Sequence, residues 1–504
     1  MKDLTKLSTA AYPPELKILR DSERERIIAC AKAQAYYDQK FWAYIVEEER
    51  SWEGKTLFEK QATDYFSPRD EELDYTPTKL ELGYPKYFID EMASWMFENP
   101  VGLKVTNPDY HEALRRIHRS NLVDEKLMQS AQEGCLTGGI AVKVLYVPGL
   151  GVRLIFRPSR ECFPLMDPDD ADVMKKVHFC AYLDDDEHIW KQTFELVPWG
   201  QGQACKVTEA IYHVNSLGRS NPVPEKSDQE ILHNGDRAID FIPVQLIPNE
   251  PNLGDVWGKS DLEPLYSPIN EICRKTSDLG DALKFELFPI NILKNVLESE
   301  VDQFEIRPGA LWNLVDGDSE HPASADKLES SMANADHVKQ YVDMLKEALH
   351  LFSGVPQTTR DKVDATGQVS GVALKLMFTA IVSKSSRKLK YWLPRLERMY
   401  DYALRTASTY EGLDYDPEEF DLEVNAVPRV PQNEMEELEK QAKRIEMLVA
   451  KVVTVLQEQG IEDPEEYLAE VLTERRQIED ALNPDIYGAA IEQEAESFEE
   501  EPEE

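Results

Sequence analysis

The sequence predicts an α+β protein, and three observations predict it. Helical periodicity occupies the N-terminal part, short strand patterns separated by turn residues fill residues 140–247, and long helical patterns follow from residue 260. The chain has 504 residues, 42% hydrophobic and 30% charged, so it can bury a large core and should form roughly three domain-sized units. No apolar run of the ~18 residues needed to span a membrane is present. Residues 1–20 lack an apolar h-region and read as a mature start.

In order along the chain, residues 15–50 carry a helical pattern through Leu19, Ile27, Ile28 and Tyr36. A second runs over 85–98 (Tyr87, Phe88, Met92, Trp95, Met96) and a third over 123–133. Residues 140–147 and 152–157 flank Pro148-Gly149-Leu150-Gly151, the signature of a hairpin with a glycine-rich turn. Further strands are expected at 177–183, 190–197, 210–214 and 242–247, an antiparallel meander, with turn-rich segments at 184–186 and 220–235.

Helical periodicity resumes at 260–288, with Ser267-Pro268 as an expected N-cap and first helical residue. Its apolar stripe is Ile269, Ile272, Cys273, Leu279, Leu283 and Leu287. A small insert with a strand pattern at 311–315 precedes another amphipathic helix at 333–352, carried by Val338, Tyr341, Val342, Leu345, Leu349 and Phe352 and stopped by Gly354 and Pro356. Residues 357–370 are polar and nearly devoid of core-forming side chains, and a loop of that kind is often functional. A very long helix then spans 371–409, its stripe running through Leu374, Phe378, Ile381, Ser385, Leu389, Trp392, Leu396, Met399 and Ala403, with Pro394 expected to kink it. A helix pair is expected at 433–456 and 464–482, and the Glu-dominated end as a disordered tail.

Charge and motifs narrow the function classes. Lys and Arg number 56 against 95 Asp and Glu, a net charge of −39. Nucleic-acid grip depends on cations that release counterions, so most of this surface should repel DNA. The six cysteines are scattered without a C-x-x-C pair, which fits reduced buried thiols rather than disulfides or a zinc site. The nine histidines form no ligand cluster, and no catalytic nucleophile motif appears. Asp167, Asp169, Asp170 and Asp172 lack the glycine of a calcium loop and read as a solvated turn, as does the run from Asp184 to Glu187. Gly254 to Ser260 follows a strand and precedes a helix but has three residues between its glycines where a phosphate loop needs four, so a helix start capped by Ser260 is the stronger reading. Cations concentrate in two places: Arg360 and Lys362 in the polar loop, and Lys384, Arg387, Lys388 and Lys390 on the long helix, as a solvated face or as partners of acidic neighbours.

The order helix, small insert, helix, polar loop, long helix resembles the portal (head-to-tail connector) proteins of tailed double-stranded-DNA bacteriophages, most of all the siphophage type. The resemblance is carried by Gly258-Lys259-Ser260-Asp261-Leu262 with Asn270, and by Ser370-Gly371-Val372-Ala373-Leu374. Val101-Gly102-Leu103-Lys104-Val105 and Ile242-Pro243-Val244 add to it. It implies an α/β wing at 1–257, stem helices at 258–288 and 333–354, and a clip at 289–332. It further implies a tunnel loop at 355–370, a wing return with the long spine helix at 371–430, a helical crown at 431–485, and the tail at 486–504. The wing return would include a strand at 422–427.

What the resemblance implies for function is a non-enzymatic ring, a dodecamer, that passes DNA without reading sequence and requires no cofactor and no metal. Gln357, Thr358, Thr359, Arg360, Asp361 and Lys362 would face DNA, and Glu305, Arg307, Trp312, Asp316 and Asp318 would dock the terminase large subunit and the head-completion adaptor. Major capsid and scaffolding proteins would be further partners, no membrane would be, and the place would be a virion vertex assembled in the bacterial cytoplasm. The alternatives are another virion structural protein, an adaptor or scaffold, or a diverged P-loop nucleotide hydrolase.

Overall fold

The structure, a computed structural model, describes residues 20–45, 78–170, 172–183, 187–213, 224–287, 290–294, 324–328, 335–357, 371–426, 443, 452–453, 456 and 464–482. By internal contacts the chain forms two compact units rather than three: Met1–Gly367 with Leu376–Arg429, and Gln368–Lys375 with Val430–Glu504.

The elements are, in order, α1 (Arg20–Tyr37), α2 (Tyr84–Phe97), β1 (Gly102–Lys104), α3 (Pro108–Ser120), α4 (Val123–Thr137), β2 (Gly139–Val147), β3 (Gly151–Pro158), β4 (Cys162–Met166), β5 (Met174–Tyr182), β6 (His188–Trp199), β7 (Gly202–His213), β8 (Lys226–Ile231), β9 (His233–Asn234), β10 (Arg237–Ala238), β11 (Val244–Pro248), α5 (Tyr266–Leu287), β12 (Ile290–Lys294), β13 (Ser324–Leu328), α6 (Ala335–Ser353), α7 (Gly371–Glu411), β14 (Glu423–Asn425) and α8 (Pro464–Leu482). α8 is the described helix of the second unit, with the bounds the sequence predicts.

In the first unit the hairpin forms as expected, and β11 pairs on its other edge to give the order β11-β2-β3. The meander is a separate five-stranded antiparallel sheet, β4 to β8 in sequence order. β8 and β9 occupy much of 220–235, which the sequence reading gave to turns, because paired strands satisfy their backbone groups even where side chains are polar and exposed. The first helix is shorter than its pattern: the chain turns at 38–40, where Gln39 adopts φ 56°, and 46–50 lie outside the described residues. The strand expected at 311–315 and the helix at 433–456 lie outside them too, save residues 443, 452, 453 and 456, which are helical. Between α5 and α6, β12 pairs with β13.

Two apolar cores result. One gathers the helices around Trp392, Tyr400, Tyr36, Phe41 and Met92, and α7 contributes Ile381, Leu389, Leu396, Met399 and Ala403 of its expected stripe. The other lies between the two larger sheets around Phe179, Phe194, Val244 and Trp257. β1 pairs with β14, closing the unit over more than 300 residues of sequence.

α5 is fixed by polar side chains within its buried face. Thr78 N–H donates to Asp281 (2.9 Å) and Leu80 N–H to Ser277 Oγ (3.0 Å). Alternate residues of an extended chain advance ~6.6 Å and four helical residues ~6 Å, so the two rows stay in register. Asn270 accepts from the buried Tyr36 hydroxyl at 2.7 Å. The helix starts at Tyr266, one residue before the expected Ser267-Pro268 cap, because a 3-10 turn at Glu263–Leu265 leads into it. Phe352, expected in the apolar stripe of α6, is instead exposed.

Between the sheets Lys143 is buried, and among the described residues no carboxylate pairs with its ammonium. It donates to Gln192 Oε1 at 2.7 Å and lies over Phe179 (4.9 Å) and Trp190 (5.0 Å). Burial, helped by the nearby Arg157, pushes its amine down to about 8. A free lysine titrates near ~10.4, so between those values the unfolded chain binds the proton that the folded one has lost, and this group makes stability rise with pH. The parent should therefore gain stability relative to Lys143→Met from pH 7.5 to pH 10.5 in denaturant titrations. A constant difference would contradict this assignment.

Candidate functional site

The polar segment that begins at Val355 is held at its root by a buried network, built on residues the sequence had marked for other reasons. α6 ends in a left-handed turn at Gly354 (φ 76°), whose N–H donates to His350 O at 3.0 Å. His350 Nδ1 donates to Val355 O at 2.9 Å, and Val355 N–H donates to Ser353 Oγ at 3.2 Å. Lys384 of α7 then donates to Ser353 O at 3.0 Å.

Lys384 also faces Asp261, at 3.7 Å, and one turn further along α7 Lys388 contacts the same carboxylate at 2.8 Å. Lys388 is fully buried and the Asp261 side chain is 11% exposed. Asn249 completes the shell: its amide nitrogen donates to Asp261 (3.0 Å) and to Lys259 O (2.9 Å), and its oxygen accepts from Lys388. Glu250 takes Arg387 as a partner and lies 3.8 Å from Lys388. Burial pushes the Asp261 carboxyl up, but Lys388, Lys384 and the hydrogen bond from Asn249 outweigh it and hold the group at about 2. Burial pushes Lys388 down, and Asp261 above all reverses this, holding the ammonium above its usual range. The cations on the long helix are therefore partly the partners of acidic neighbours that one reading of the sequence allowed.

Glycines bring these elements close enough. Gly138 (φ 87°) ends α4, and its carbonyl accepts from both Asn249 N–H and Gly258 N–H at 2.9 Å. A Cβ on Gly258 would overlap the Asn249 carbonyl. The Gly254–Ser260 loop is thus turned inward, with the Gly258 amide committed to Gly138 rather than open to a phosphate. Lys259 points outward, 3.6 Å from Glu263. Ser260 Oγ accepts from Leu262 N–H at 3.2 Å, closing a local turn, and the cap position of the following 3-10 turn falls on Leu262 rather than on Ser260 as expected.

Of the proposed DNA-facing residues, Gln357 is described, just beyond this root, and Thr358, Thr359, Arg360, Asp361 and Lys362 lie outside the described residues. So do the docking residues Glu305, Arg307, Trp312, Asp316 and Asp318. Among the described residues no group of three or more His, Cys, Asp or Glu side chains is arranged to hold a metal ion, and all six cysteines are free and buried. Asp167 and Asp170 accept from the N–H groups of Asp169 and Asp172, a local turn. Tyr400, His118 and Asp124 form a relay (2.6 and 2.9 Å) that resembles a catalytic triad, but the Tyr400 hydroxyl would be its nucleophile and that residue is fully buried. No described helix is long and apolar enough to cross a membrane.

Sequence reading missed the acceptors that organise this site, Asn249 and Glu250, and the helix α3. Asn107 caps α3, accepting from Asp109 N–H at 3.0 Å with Pro108 behind it, and Tyr110, Ala113, Leu114 and Ile117 are its buried stripe. That cap followed by a 3/4-spaced stripe was the available signal.

Breaking a buried pair from one side costs about 3–5 kcal/mol because a charge is left uncompensated. Lys388→Met and Asp261→Asn should each lose about that much in chemical denaturation, and the double variant should lose clearly less than their sum. Additive losses would contradict the coupling. Because Asp261 is held below its ordinary value, the contribution is present above about pH 4 and is lost as pH falls toward 2.

With this geometry in hand, the comparisons with known proteins are informative. The chain matches the profile of the family described as phage portal protein, SPP1 Gp6-like, over residues 16–481. No curated protein matches it. Among solved structures it is similar to a chain of the virion of the native gene transfer agent (GTA) particle, at 12% identity over 72% of this chain and 85% of that one, TM-score 0.38. It is also similar to chains of the neck of the empty GTA particle computed with C6 symmetry (12% identity, 73% and 86%, TM-score 0.41) and of the native neck computed with C12 symmetry (12%, 73% and 86%, 0.35). The family profile takes in the buried Asp261–Lys388–Asn249 clasp, the loop root and the whole of α7, and the chain belongs to the SPP1 Gp6-like family of phage portal proteins.

Proposed function

We propose that this portal protein is the subunit of a closed ring, a dodecamer, that passes double-stranded DNA into and out of a phage-type capsid at one vertex. The observation that carries this reading is the anchoring of residues 353–355, the root from which the polar segment leaves. Both helices that bracket it, α6 and α7, are tied to the start of the stem through Ser353, Lys384, Lys388 and Asp261. A polar loop on such a root is placed by the scaffold, which is what a contact at the narrow part of a channel requires.

Charge supports the same reading. A surface with net charge −39 repels phosphate over most of its area, so DNA slides past without adhering. Arg360 and Lys362 supply a few cations that touch the backbone and carry no sequence information. The clip residues Glu305, Arg307, Trp312, Asp316 and Asp318 dock the terminase large subunit and later the head-completion adaptor, while capsid and scaffolding proteins surround the ring. On this account the chain catalyses nothing itself, needs no cofactor, and assembles in the host cytoplasm before residing in the virion.

Negative-stain electron microscopy of the purified protein should show closed rings with a central hole; monomers or open filaments alone would overturn the proposal. Combined Arg360→Ala and Lys362→Ala substitution should leave ring assembly intact and reduce packaging rate or DNA retention. Unchanged packaging and retention would remove the loop from the DNA path.

A further inference from the structure

The solvent face of α7 carries a cationic stripe that the clasp does not use. Between Ile381 and Ala407 its only exposed residues are Ser383, Arg387, Lys390, Pro394 and Arg398, spaced by three or four and therefore on one side. Residues 384–405 hold seven cationic side chains against Glu397 and Asp401, in a chain of net charge −39. Lys384 and Lys388 turn inward and Arg387 meets Glu250, whereas Lys390 and Arg398 pair with no carboxylate among the described residues.

The opposite charge gathers past the far end of the same helix. Residues 411–423 contain seven carboxylates and no Lys or Arg. With the first turn of α3 they border an open cleft of about 310 Å³ lined by Asp109, Glu112, Arg116, Leu413 and Asp414. Arg116 is neutralised by Glu411, while Asp109, Glu112, Asp414, Glu418 and Glu419 have no cationic partner among the described residues. Arg398 and Glu411 are thirteen residues apart on α7, which separates them by ~20 Å along the axis and roughly 140° around it. One copy therefore cannot bring its own stripe into its own cleft.

We propose that the Lys390–Arg398 stripe docks the acidic cleft of a second copy of this chain, so that the two faces form a head-to-tail contact. Subunits of charge −39 repel one another unless unlike patches meet, and a contact between two different faces of the same chain is the kind that propagates around a ring. Phosphate is the other anion a cationic stripe could take, but the exposed carboxylates on the same chain supply the complement directly. The inference rests on the ring reading of the preceding subsection and specifies which faces meet.

The test uses two full-length variants that alter only exposed residues, Lys390→Glu with Arg398→Glu, and Glu112→Lys with Asp414→Lys. Ring formation is followed by native mass spectrometry and electron microscopy at low salt, where surface charge is least screened. Each variant alone should lose association by roughly tenfold or more, since like charges then face each other. An equimolar mixture should restore rings containing both chains in equal amounts, because every contact in an alternating ring is again complementary. Restoration also shows that both variants fold. If the parent forms rings and either variant alone assembles as the parent does, or if the mixture stays unassembled, the inference is overturned. Normal assembly of Lys390→Glu with Arg398→Glu together with loss of DNA retention would overturn it in favour of phosphate. If the parent itself forms no ring, the ring reading fails first.

Discussion

A lysine ammonium taken entirely out of water cannot be tolerated without compensation, and much of the first unit follows from how Lys388 is compensated. Its partners come from two separate stretches of chain: Asp261 at the approach to α5, and Asn249 and Glu250 just after β11. None of these groups is satisfied unless α7, the end of the three-stranded sheet and the start of α5 are assembled together. The interaction is worth less as net stabilisation than as specification, because a mispacked arrangement leaves one of the charges buried alone. The glycines at 138 and 258 are the steric condition for it, since side chains there would hold the strands and the loop apart.

This explains why Gly254–Ser260 resembles a phosphate loop without being shaped as one. Gly258 permits close approach to Asn249, Ser260 closes a local turn, and the Asp261 that follows receives the two lysines of α7. The lysine inside the motif is the member that the network leaves outside. Lys384 also donates to Ser353 O at the loop root, so the root is tied to the same carboxylate that joins α7 to the approach to α5. On the proposed reading, what the protein needs is a loop whose base is held fixed while the surface around it repels phosphate.

The parts of the fold legible in the sequence are those whose period survives in apolar residues alone. The hairpin at β2 and β3, the helices α4 and α8 and the long helix α7 all follow from spacing, and the buried Ser385 fell into the α7 stripe because its neighbours defined it. The parts that were missed have two different causes. α3 does carry a 3/4-spaced apolar stripe, set among arginines and carboxylates that dominate its composition, whereas β8 exposes almost every side chain and offers no apolar period. From sequence Lys388 reads either as a surface cation or as a partner of an acidic neighbour; only tertiary structure brings Asp261 to it. Ser277 and Asp281 likewise sit among the apolar residues of α5 because they receive backbone N–H groups from 78–80, a demand that cannot be read from the helix itself. The pairing of β1 with β14 supports the strand expected at 422–427, although the paired part is only three residues long.

The central claim is that the anchored root presents the 355–370 segment to DNA on the axis of a ring. A cryo-electron microscopy reconstruction of the assembled protein with double-stranded DNA in place tests it most directly. The account predicts Arg360 and Lys362 at the narrowest point of the passage, within contact of the phosphates, with Ser353, Lys384 and Asp261 joined behind them. Finding those two side chains on the outer surface of the ring, away from the DNA, would contradict it.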